Sequence, residues 1–225
     1  MKSVFLLIDT SVFSSSLALW VKETDSVIML KGSNRNYAEQ LPADIPVLLD
    51  TMGCKMNDLK AVGVCSGPGS YTGLRLGVSL AKGLSMGLSV PLIAVSRLQL
   101  LANIARKKFG FSSYILPVID AGRMEVYVSK VLPYESVSFN EEALILTGES
   151  FSELSGHEVV FLGSGAAKCK ELFSCLSWSY KCVREPDASD LCEPVWEAFS
   201  NHEFADANSF EPTYLKEYQP AISSK

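Results

Sequence analysis

The sequence predicts an α/β protein of two lobes, each a mixed sheet with flanking helices, the second lobe shorter than the first. In the first half, short apolar runs of strand length alternate with helix-length segments. A shorter series of such runs follows from about residue 110. Each half opens on an apolar run that ends in a small acidic turn, Asp9–Ser11 and Asp120–Gly122. The correspondence indicates a duplicated fold with a cleft between the lobes.

The first half begins with three strand-length runs at Val4 to Ile8, Ser14 to Lys22 and Val27 to Leu30. Their connections are short, so they predict an antiparallel meander. A helix is predicted next, over Tyr37 to Asp50, with its apolar residues at helical spacing on one face. Two prolines, Pro42 and Pro46, restrict where that helix can begin.

The stretch 61–88 is the centre of the first half. An apolar run with the length of a buried strand, Ala61 to Cys65, leads into the glycine-proline turn Gly67–Gly69. A helix-length apolar segment follows from about Thr72 to Leu88, and a hydroxyl of Ser70 or Thr72 is suited to cap its start.

Apolar and small residues cover two sides of the predicted 72–88 helix. One sheet covers only one side of a helix, so the other side needs a different partner. The helix also holds four glycines, each costing about 1 kcal/mol relative to alanine in a helix interior. Two explanations stay open: close packing inside the chain, or a docking face for a partner helix.

A strand at Pro91 to Val95 and a helix capped by Ser96 complete the first half, which has the order β-β-β-α-β-α-β-α. The second half has strand-length runs from Tyr114, a glycine turn at Gly163–Gly165 that leads into a helix, and a further helix over Asp187 to Phe199. We therefore divide the chain into a first lobe (1–109), a second lobe (110–210) and a C-terminal tail (211–225).

Composition excludes several classes of protein. The 225 residues carry a net charge of −5, which argues against tight binding of nucleic acid by the chain alone. No apolar run reaches the roughly 18 residues of a membrane span, and the N-terminus is typical of a strand rather than of a signal peptide. The six cysteines form no C-x-x-C pair and the histidines number two, so we expect no metal site, no disulfide framework and a cytoplasmic protein.

The glycine-rich segment Gly67–Gly73 matches no nucleotide-binding motif. It lacks the Lys-Ser or Lys-Thr of a P-loop, and it lacks the third glycine and the downstream acid of the dinucleotide fingerprint. A histidine base would have to be His157 or His202, both in polar surroundings. The sequence therefore predicts no catalytic residues.

Five segments together resemble the TsaB (YeaZ) family: LLIDTS at 6–11, SGPGSYTGLRLGVSLAKGL at 66–84, VSRLQLLA at 95–102, IDAGRMEVYV at 119–128 and PTYLKEY at 212–218. The match spans nearly the whole chain, and its central motif is specific to TsaB proteins and their close relatives. The resemblance implies the actin-like ATPase (ASKHA) fold with a shortened second lobe.

The resemblance also implies a function. TsaB proteins are non-catalytic subunits that partner TsaD, with the ATPase TsaE, in forming N6-threonylcarbamoyladenosine at position 37 of tRNAs that read ANN codons. The chemistry belongs to TsaD, which uses threonylcarbamoyl-adenylate and a metal. For this chain we expect no cofactor of its own, ATP or ADP only at a subunit boundary, tRNA contact only through the complex, and a homodimer when TsaD is absent.

Two departures from the relatives accompany the resemblance. TsaD carries a metal-binding histidine pair on the helix that corresponds to Tyr37–Asp50, and TsaB sequences commonly have a histidine near its start. Residues 36–40 here, NYAEQ, contain none. The family usually has IDARRGE where this chain has IDAGRME, so the match of residues 120–122 to the second phosphate motif of actin-like proteins, D-x-G, is expected to be coincidental.

Two groups of site residues follow. We expect a partner interface that includes Tyr37, Leu41, Gly73, Gly77, Leu80 and Leu84. We expect a cluster at the mouth of the cleft, on the side where a phosphate would bind, formed by Asp9, Thr10, Gly67, Gly69 and Ser70. An acid and a hydroxyl at a strand end serve equally well as a turn cap, and that explanation of Asp9 stays open.

Two other functions remain as alternatives. A self-sufficient ATPase or small-molecule kinase would use Asp9 and Asp120 as its carboxylates, with phosphates on the glycine-rich turns. A glycoprotease-like peptidase would need metal ligands or a catalytic triad, and the sequence offers neither. Nucleotide binding by the isolated chain distinguishes the first alternative from a non-catalytic subunit.

Overall fold

A computed structural model describes residues 2–32, 37–110, 112–133, 140–174, 177–181 and 183–216. The side chains of residues 37–39 lie outside this description. The strands are β1 (Val4–Asp9), β2 (Ser16–Val21), β3 (Ser26–Lys31), β4 (Leu59–Gly67), β5 (Leu92–Ser96), β6 (Tyr114–Asp120), β7 (Glu125–Ser129), β8 (Glu141–Ile145), β9 (Val159–Leu162) and β10 (Ser179–Lys181). The α-helices are α1 (Tyr37–Thr51), α2 (Tyr71–Leu88), α3 (Arg97–Phe109), α4 (Ala166–Leu172) and α5 (Cys192–Ser200).

The first sheet has the strand order β3-β2-β1-β4-β5. β1 pairs antiparallel with β2, and β2 pairs antiparallel with β3, which confirms the predicted meander. β4 pairs parallel with β1 and with β5, and α2 makes the crossover between β4 and β5. Because β1 and β4 are parallel, their carboxyl ends lie at the same end of the sheet.

The second sheet repeats this arrangement with the order β10-β9-β6-β7-β8. β6 takes the place of β1: it pairs antiparallel with β7 and parallel with β9. The two sheets therefore have the same topology, and the chain has the duplicated actin-like α/β fold. The fifth strand of the second sheet, β10, is missing from the sequence prediction because three residues show no readable alternation.

Helices cover both faces of the first sheet. On one face, α1 and α2 pack on the apolar side chains of β1, β2 and β4. On the other face, side chains of β1 and β2, among them Phe5 and Trp20, pack against the 3₁₀ turn Ala188–Leu191 and against α5. α3 lies between the lobes, where Leu98 and Leu101 pack with Ile115 and Val160 of the second sheet.

The packing of α5 differs from the predicted lobe boundaries. α5 belongs by sequence to the segment 110–210, yet Val195 is fully buried against the first sheet. The first lobe is therefore built from residues at both ends of the chain. Sequence periodicity identifies the helix and its apolar face but does not indicate which sheet that face covers.

The ends of the long helices are determined by local chemistry. Ser70 accepts from the backbone N–H of Gly73 at the start of α2, and Ser96 accepts from Leu98 and Gln99 at the start of α3, which confirms two predicted caps. Pro42 and Pro46 lie inside α1 rather than before it. Both are exposed, so their missing N–H groups are on the solvent side of the helix.

No helix in the described part of the chain combines the length and the apolar character needed to cross a bilayer.

Candidate functional site

The end of β1 and the glycine turn after β4 lie together, as the sequence predicts. The backbone N–H of Ser70 donates to Ser11 O over 2.7 Å. A Cβ built on Gly69 would lie 2.1 Å from the same carbonyl oxygen, so only glycine allows this approach. Gly69 and Ser70 are exposed, whereas Asp9 and Thr10 are each 1% exposed. Asp9 and Thr10 therefore lie beneath the cleft surface and not at its mouth, where the sequence analysis placed them.

A buried arginine occupies the space beside Asp9. The Arg97 guanidinium, on the first turn of α3, donates to Asp9 Oδ2 over 3.0 Å and to Ser11 Oγ over 2.8 Å. Asp9 Oδ1 accepts from the N–H and the hydroxyl of Ser11. Asp9 thus has both oxygens paired within the chain, as a turn cap and as a buried ion pair.

The second terminal nitrogen of the guanidinium, Nη2, reaches toward the C-terminal part of the chain. Arg97 Nη2 donates to Glu185 Oε2 over 2.6 Å. Burial opposes the charge of Arg97, but the carboxylates of Asp9 and Glu185 outweigh that effect, and the pKa of Arg97 lies above its ordinary value. The guanidinium therefore stays positively charged. It occupies the side of Asp9 that would face a bound phosphate in a nucleotide-binding lobe.

Sequence reasoning missed Arg97, although the sequence holds a signal. The positive end of a helix dipole is at the N-terminus, where a cation is unfavourable. Arg97 directly follows the cap Ser96 and therefore breaks this rule. A residue that violates a local preference indicates a compensating tertiary interaction, here with Asp9.

The matching corner of the second lobe is also internally paired. Asp120, at the end of β6, accepts from Lys168 Nζ over 2.5 Å and from the N–H of Gly122 over 2.7 Å. Burial works against the charge of Asp120, but the bonds from Lys168 and Gly122 prevail and its pKa is lowered. Both strand-end carboxylates of the duplicated fold thus have a cationic partner supplied by the chain.

A cleft of about 590 Å³ lies between the lobes above these corners. The first lobe lines it with the turn after β4 and the first turn of α2, the second lobe with Tyr127. The remaining wall is formed by Glu211 and residues 213–216 of the C-terminal segment. Three tyrosines, Tyr71, Tyr127 and Tyr214, face this space together with Arg75 and Lys216. The sequence prediction placed the glycine turn here but not the C-terminal segment.

The structure corrects the predicted role of the glycines in α2. A Cβ on Gly77 would lie 2.1 Å from Thr10 Oγ1, and one on Gly73 would lie 2.1 Å from Thr10 O. These glycines let the helix pack closely on the end of β1, so the explanation by close packing inside the chain is the right one for them. Leu41, which belongs to α1, is likewise fully buried in the core that this helix covers.

The other predicted interface residues are either half-buried or have side chains outside the described part of the chain. Leu80 and Leu84 are half-buried and pack on the same core as Leu41. The side chain of Tyr37, and the histidine position near Asn36, lie outside the described residues.

The exposed side of α1 and α2 carries a different set of apolar residues, which we call the outer helix face. It comprises Val47, Leu76, Gly83, Met86 and Gly87. Val47 and Met86 are 53% and 54% exposed, which is high for apolar side chains. Nothing lies within 4 Å of a Cβ built on Gly83 or Gly87, so the surface of α2 is open there.

Two conventional kinds of catalytic site are not formed in the described residues. In that part of the chain, no three His, Cys, Asp or Glu side chains come together as metal ligands would. The segment Gly83–Gly87 has the spacing of a nucleophile elbow, G-x-S-x-G, but it lies within α2, and Ser85 donates its hydroxyl proton to Val90 O over 2.6 Å. A nucleophile elbow instead requires a strand-to-helix turn.

Comparison with known proteins gives consistent matches along the chain. A family model described as TsaD: tRNA N6-adenosine threonylcarbamoyltransferase matches residues 31–221. The chain is 30% identical over 219 residues to the tRNA threonylcarbamoyladenosine biosynthesis protein TsaB of Escherichia coli (strain K12), covering 94% of each chain. It is 37% identical over 122 residues to TsaB of Bacillus subtilis (strain 168), covering 54% of this chain and 52% of that protein.

Solved structures add a likeness of fold. YeaZ from Pseudomonas aeruginosa superposes with a TM-score of 0.77 at 24% identity, over 95% of this chain and 100% of that chain.

Proposed function

The chain belongs to the TsaB family of tRNA threonylcarbamoyladenosine biosynthesis proteins, and we propose from this premise that it is a non-catalytic subunit of that pathway. In this proposal it partners a TsaD-like subunit, together with a TsaE-like ATPase, in modifying position 37 of tRNAs that read ANN codons. The TsaD-like subunit supplies the chemistry.

The observation that carries the non-catalytic part is the Asp9–Arg97 pair. A kinase or ATPase on this fold would need Asp9 free to face a metal-bound phosphate. Here the carboxylate is 1% exposed and bonded to a guanidinium that is itself 1% exposed. Asp120, the second carboxylate of the ATPase alternative, is bonded to Lys168. These pairings favour the subunit over the enzyme. We propose accordingly that ATP or ADP lodges at a subunit boundary and not in the isolated chain.

The outer helix face supports the partner-binding part. A face with Val47, Leu76 and Met86 exposed beside two open glycines suits close approach of an apolar helix pair. A partner with the same duplicated fold would offer equivalent helices. For the same reason a second copy of this chain would fit, giving a homodimer when the partner is absent. With a net charge of −5, the chain is expected to meet tRNA only within the complex.

The test uses a substitution that does not threaten the fold. Gly83→Arg places a charged side chain at the centre of the outer helix face, in open space, and raises helix propensity. We expect the affinity for a TsaD-type partner to fall at least about 100-fold, because an unpaired charge would be buried in the complex. The matched control is Ser200→Arg, at a small exposed residue on α5, which should bind as the unaltered chain does.

Two results would contradict the proposal. If Gly83→Arg binds the partner with unchanged affinity, the interface lies elsewhere. If the purified chain alone hydrolyses ATP or transfers threonylcarbamoyl at about 1 per second or faster, in the range of ordinary enzymes, the chain is not a non-catalytic subunit.

A further inference from the structure

The described part of the C-terminal segment runs across the cleft instead of leaving the surface. Residues 211–216 adopt neither helix nor strand, yet successive residues contact first one lobe and then the other. We propose that this segment, here called the strap, is a releasable intramolecular cover over the cleft, which must lift before a ligand or a partner segment can reach the turn after β4.

The first anchor of the strap is the backbone at the end of β4. The N–H of Thr213 donates to Ser66 O over 2.9 Å. Gly67, with φ of +107°, lets the strap approach, since a Cβ there would lie 3.2 Å from Thr213 O and 2.9 Å from a methyl carbon of Leu74. In open α/β sheets, ligands bind outside the carboxyl ends of the strands. The strap therefore takes a strand-end acceptor that a ligand would otherwise use.

The second anchor is the first turn of α2. The rings of Tyr214 and Tyr71 lie 5.1 Å apart between centroids. Arg75 Nε donates to Tyr214 Oη over 3.2 Å, and its guanidinium lies 4.2 Å from the centroid of the Tyr71 ring. The strap thus engages the aromatic ring and the cation that the first lobe presents to the cleft.

The third anchor lies on the second lobe. Leu215 packs with the apolar cluster between the lobes, beside α3 and β6. Lys216 Nζ donates to Ala121 O over 3.1 Å and pairs with Glu125. Within two residues the strap has crossed from α2 to the turn after β6, so it links the glycine turn and α2 of the first lobe to the acidic turn of the second lobe.

The contacts that hold the strap are weak enough for this segment to detach locally. Tyr214 is 39% exposed, Lys216 is partly exposed, and the strap forms no ladder of backbone bonds. Segments with few buried contacts open more readily than the cores they cover. Leu98 and Leu101 of α3 pack against the second sheet and join the lobes without the strap, so it can lift while the rest stays folded.

Hydrogen exchange of the full chain tests the proposal. The double variant Tyr214→Ala/Lys216→Ala removes the ring contacts of the second anchor and the polar contacts of the third. We expect amide exchange at Thr213, and in the segments 64–72 and 118–125, to become at least about tenfold faster, with exchange in β1, β2 and α1 unchanged. The matched control is Lys170→Ala, at an exposed lysine on α4, which should leave all of these rates unchanged.

Two outcomes of this experiment overturn the proposal directly, and a third calls for a milder variant. Unchanged exchange everywhere, or faster exchange in 211–216 alone, would mean that the strap covers neither turn. If exchange rises throughout the chain, the double variant is globally destabilised, and the milder Tyr214→Phe decides. That variant loses only the hydroxyl bond to Arg75. Faster exchange confined to 64–72 and 211–216 then supports the cover, and unchanged exchange overturns it.

Discussion

Arg97 and Asp9 form an ion pair over 3.0 Å in which each side chain is 1% exposed. Removing one partner of such a pair leaves the other charge buried, which costs about 3–5 kcal/mol. We therefore predict that Arg97→Met lowers the free energy of unfolding by about that amount, measured by urea denaturation at neutral pH.

An exposed ion pair serves as the control for this measurement. Lys107 and Glu193 pair with side chains 64% and 72% exposed. Because solvent screens such pairs, Lys107→Met should cost less than about 1 kcal/mol. Equal stability of Arg97→Met and the unaltered chain would show that the buried pair contributes nothing to the fold.

Alanine substitutions at two glycines of α2 should change the stability of the fold in opposite directions. Gly77→Ala places a methyl group 2.1 Å from Thr10 Oγ1 and should destabilise by about 1–3 kcal/mol through overpacking. Gly83→Ala meets nothing within 4 Å and should stabilise by up to about 1 kcal/mol through helix propensity. Thermal melting of the two variants measures both effects. A stabilised Gly77→Ala would contradict the close contact of α2 with Thr10.

Glu141 should make stability depend on pH. Burial raises the pKa of Glu141, and the hydrogen bond from Ser96 lowers it by less. Between the ordinary pKa of glutamate and the raised value, the folded state binds more protons than the unfolded state, so stability falls as pH rises through this window. The cost is complete above the raised pKa and absent below the ordinary pKa.

The variant Glu141→Gln keeps an acceptor for Ser96 and removes the charge. We expect it to be more stable than the unaltered chain at pH 7 and to lose that advantage at about pH 4, by urea denaturation at each pH. The neighbouring Glu142→Gln, at an exposed residue, is the control. An equal effect of Glu141→Gln at both pH values would exclude titration of Glu141 as the cause.

Three buried thiols should be unreactive in the native state. Burial raises the pKa of Cys65, Cys169 and Cys192 to about 12 in each case. The thiolate is the reactive form, so iodoacetamide at pH 8 should leave these residues unmodified while the chain is folded and label them in urea. Peptide mass spectrometry reads out each site. Labelling of the folded chain within minutes would contradict the burial.

Much of the fold could be predicted because it follows from local periodicity. The apolar run before Gly67 and the capped helix after Ser70 identify the β4–turn–α2 unit, and the two acidic turns identify the duplication. β1 and the glycine turn were predicted to meet, and the bond between Ser70 and Ser11 confirms it. Strand-end geometry makes that contact predictable from order alone.

The site was less predictable because its decisive contacts join residues far apart in sequence. Periodicity correctly places Leu41 on the apolar face of α1, but it does not say whether a sheet or a partner covers that face. Gly77 illustrates the same limit, since the residue that fills the space beside it, Thr10, follows β1 and is far away in sequence. The strap has no periodicity at all, so nothing local indicates where it goes.

The position of α5 has a consequence for how the chain acquires its structure during synthesis. The face of the first sheet that carries Phe5, Trp20 and Ile93 is completed by residues 188–199. A ribosome makes the sheet well before its cover, so this apolar face stays open to water until about residue 200 has emerged. Exposed apolar surface of this kind promotes aggregation. Residues 1–109 produced alone should therefore aggregate more readily than the full chain.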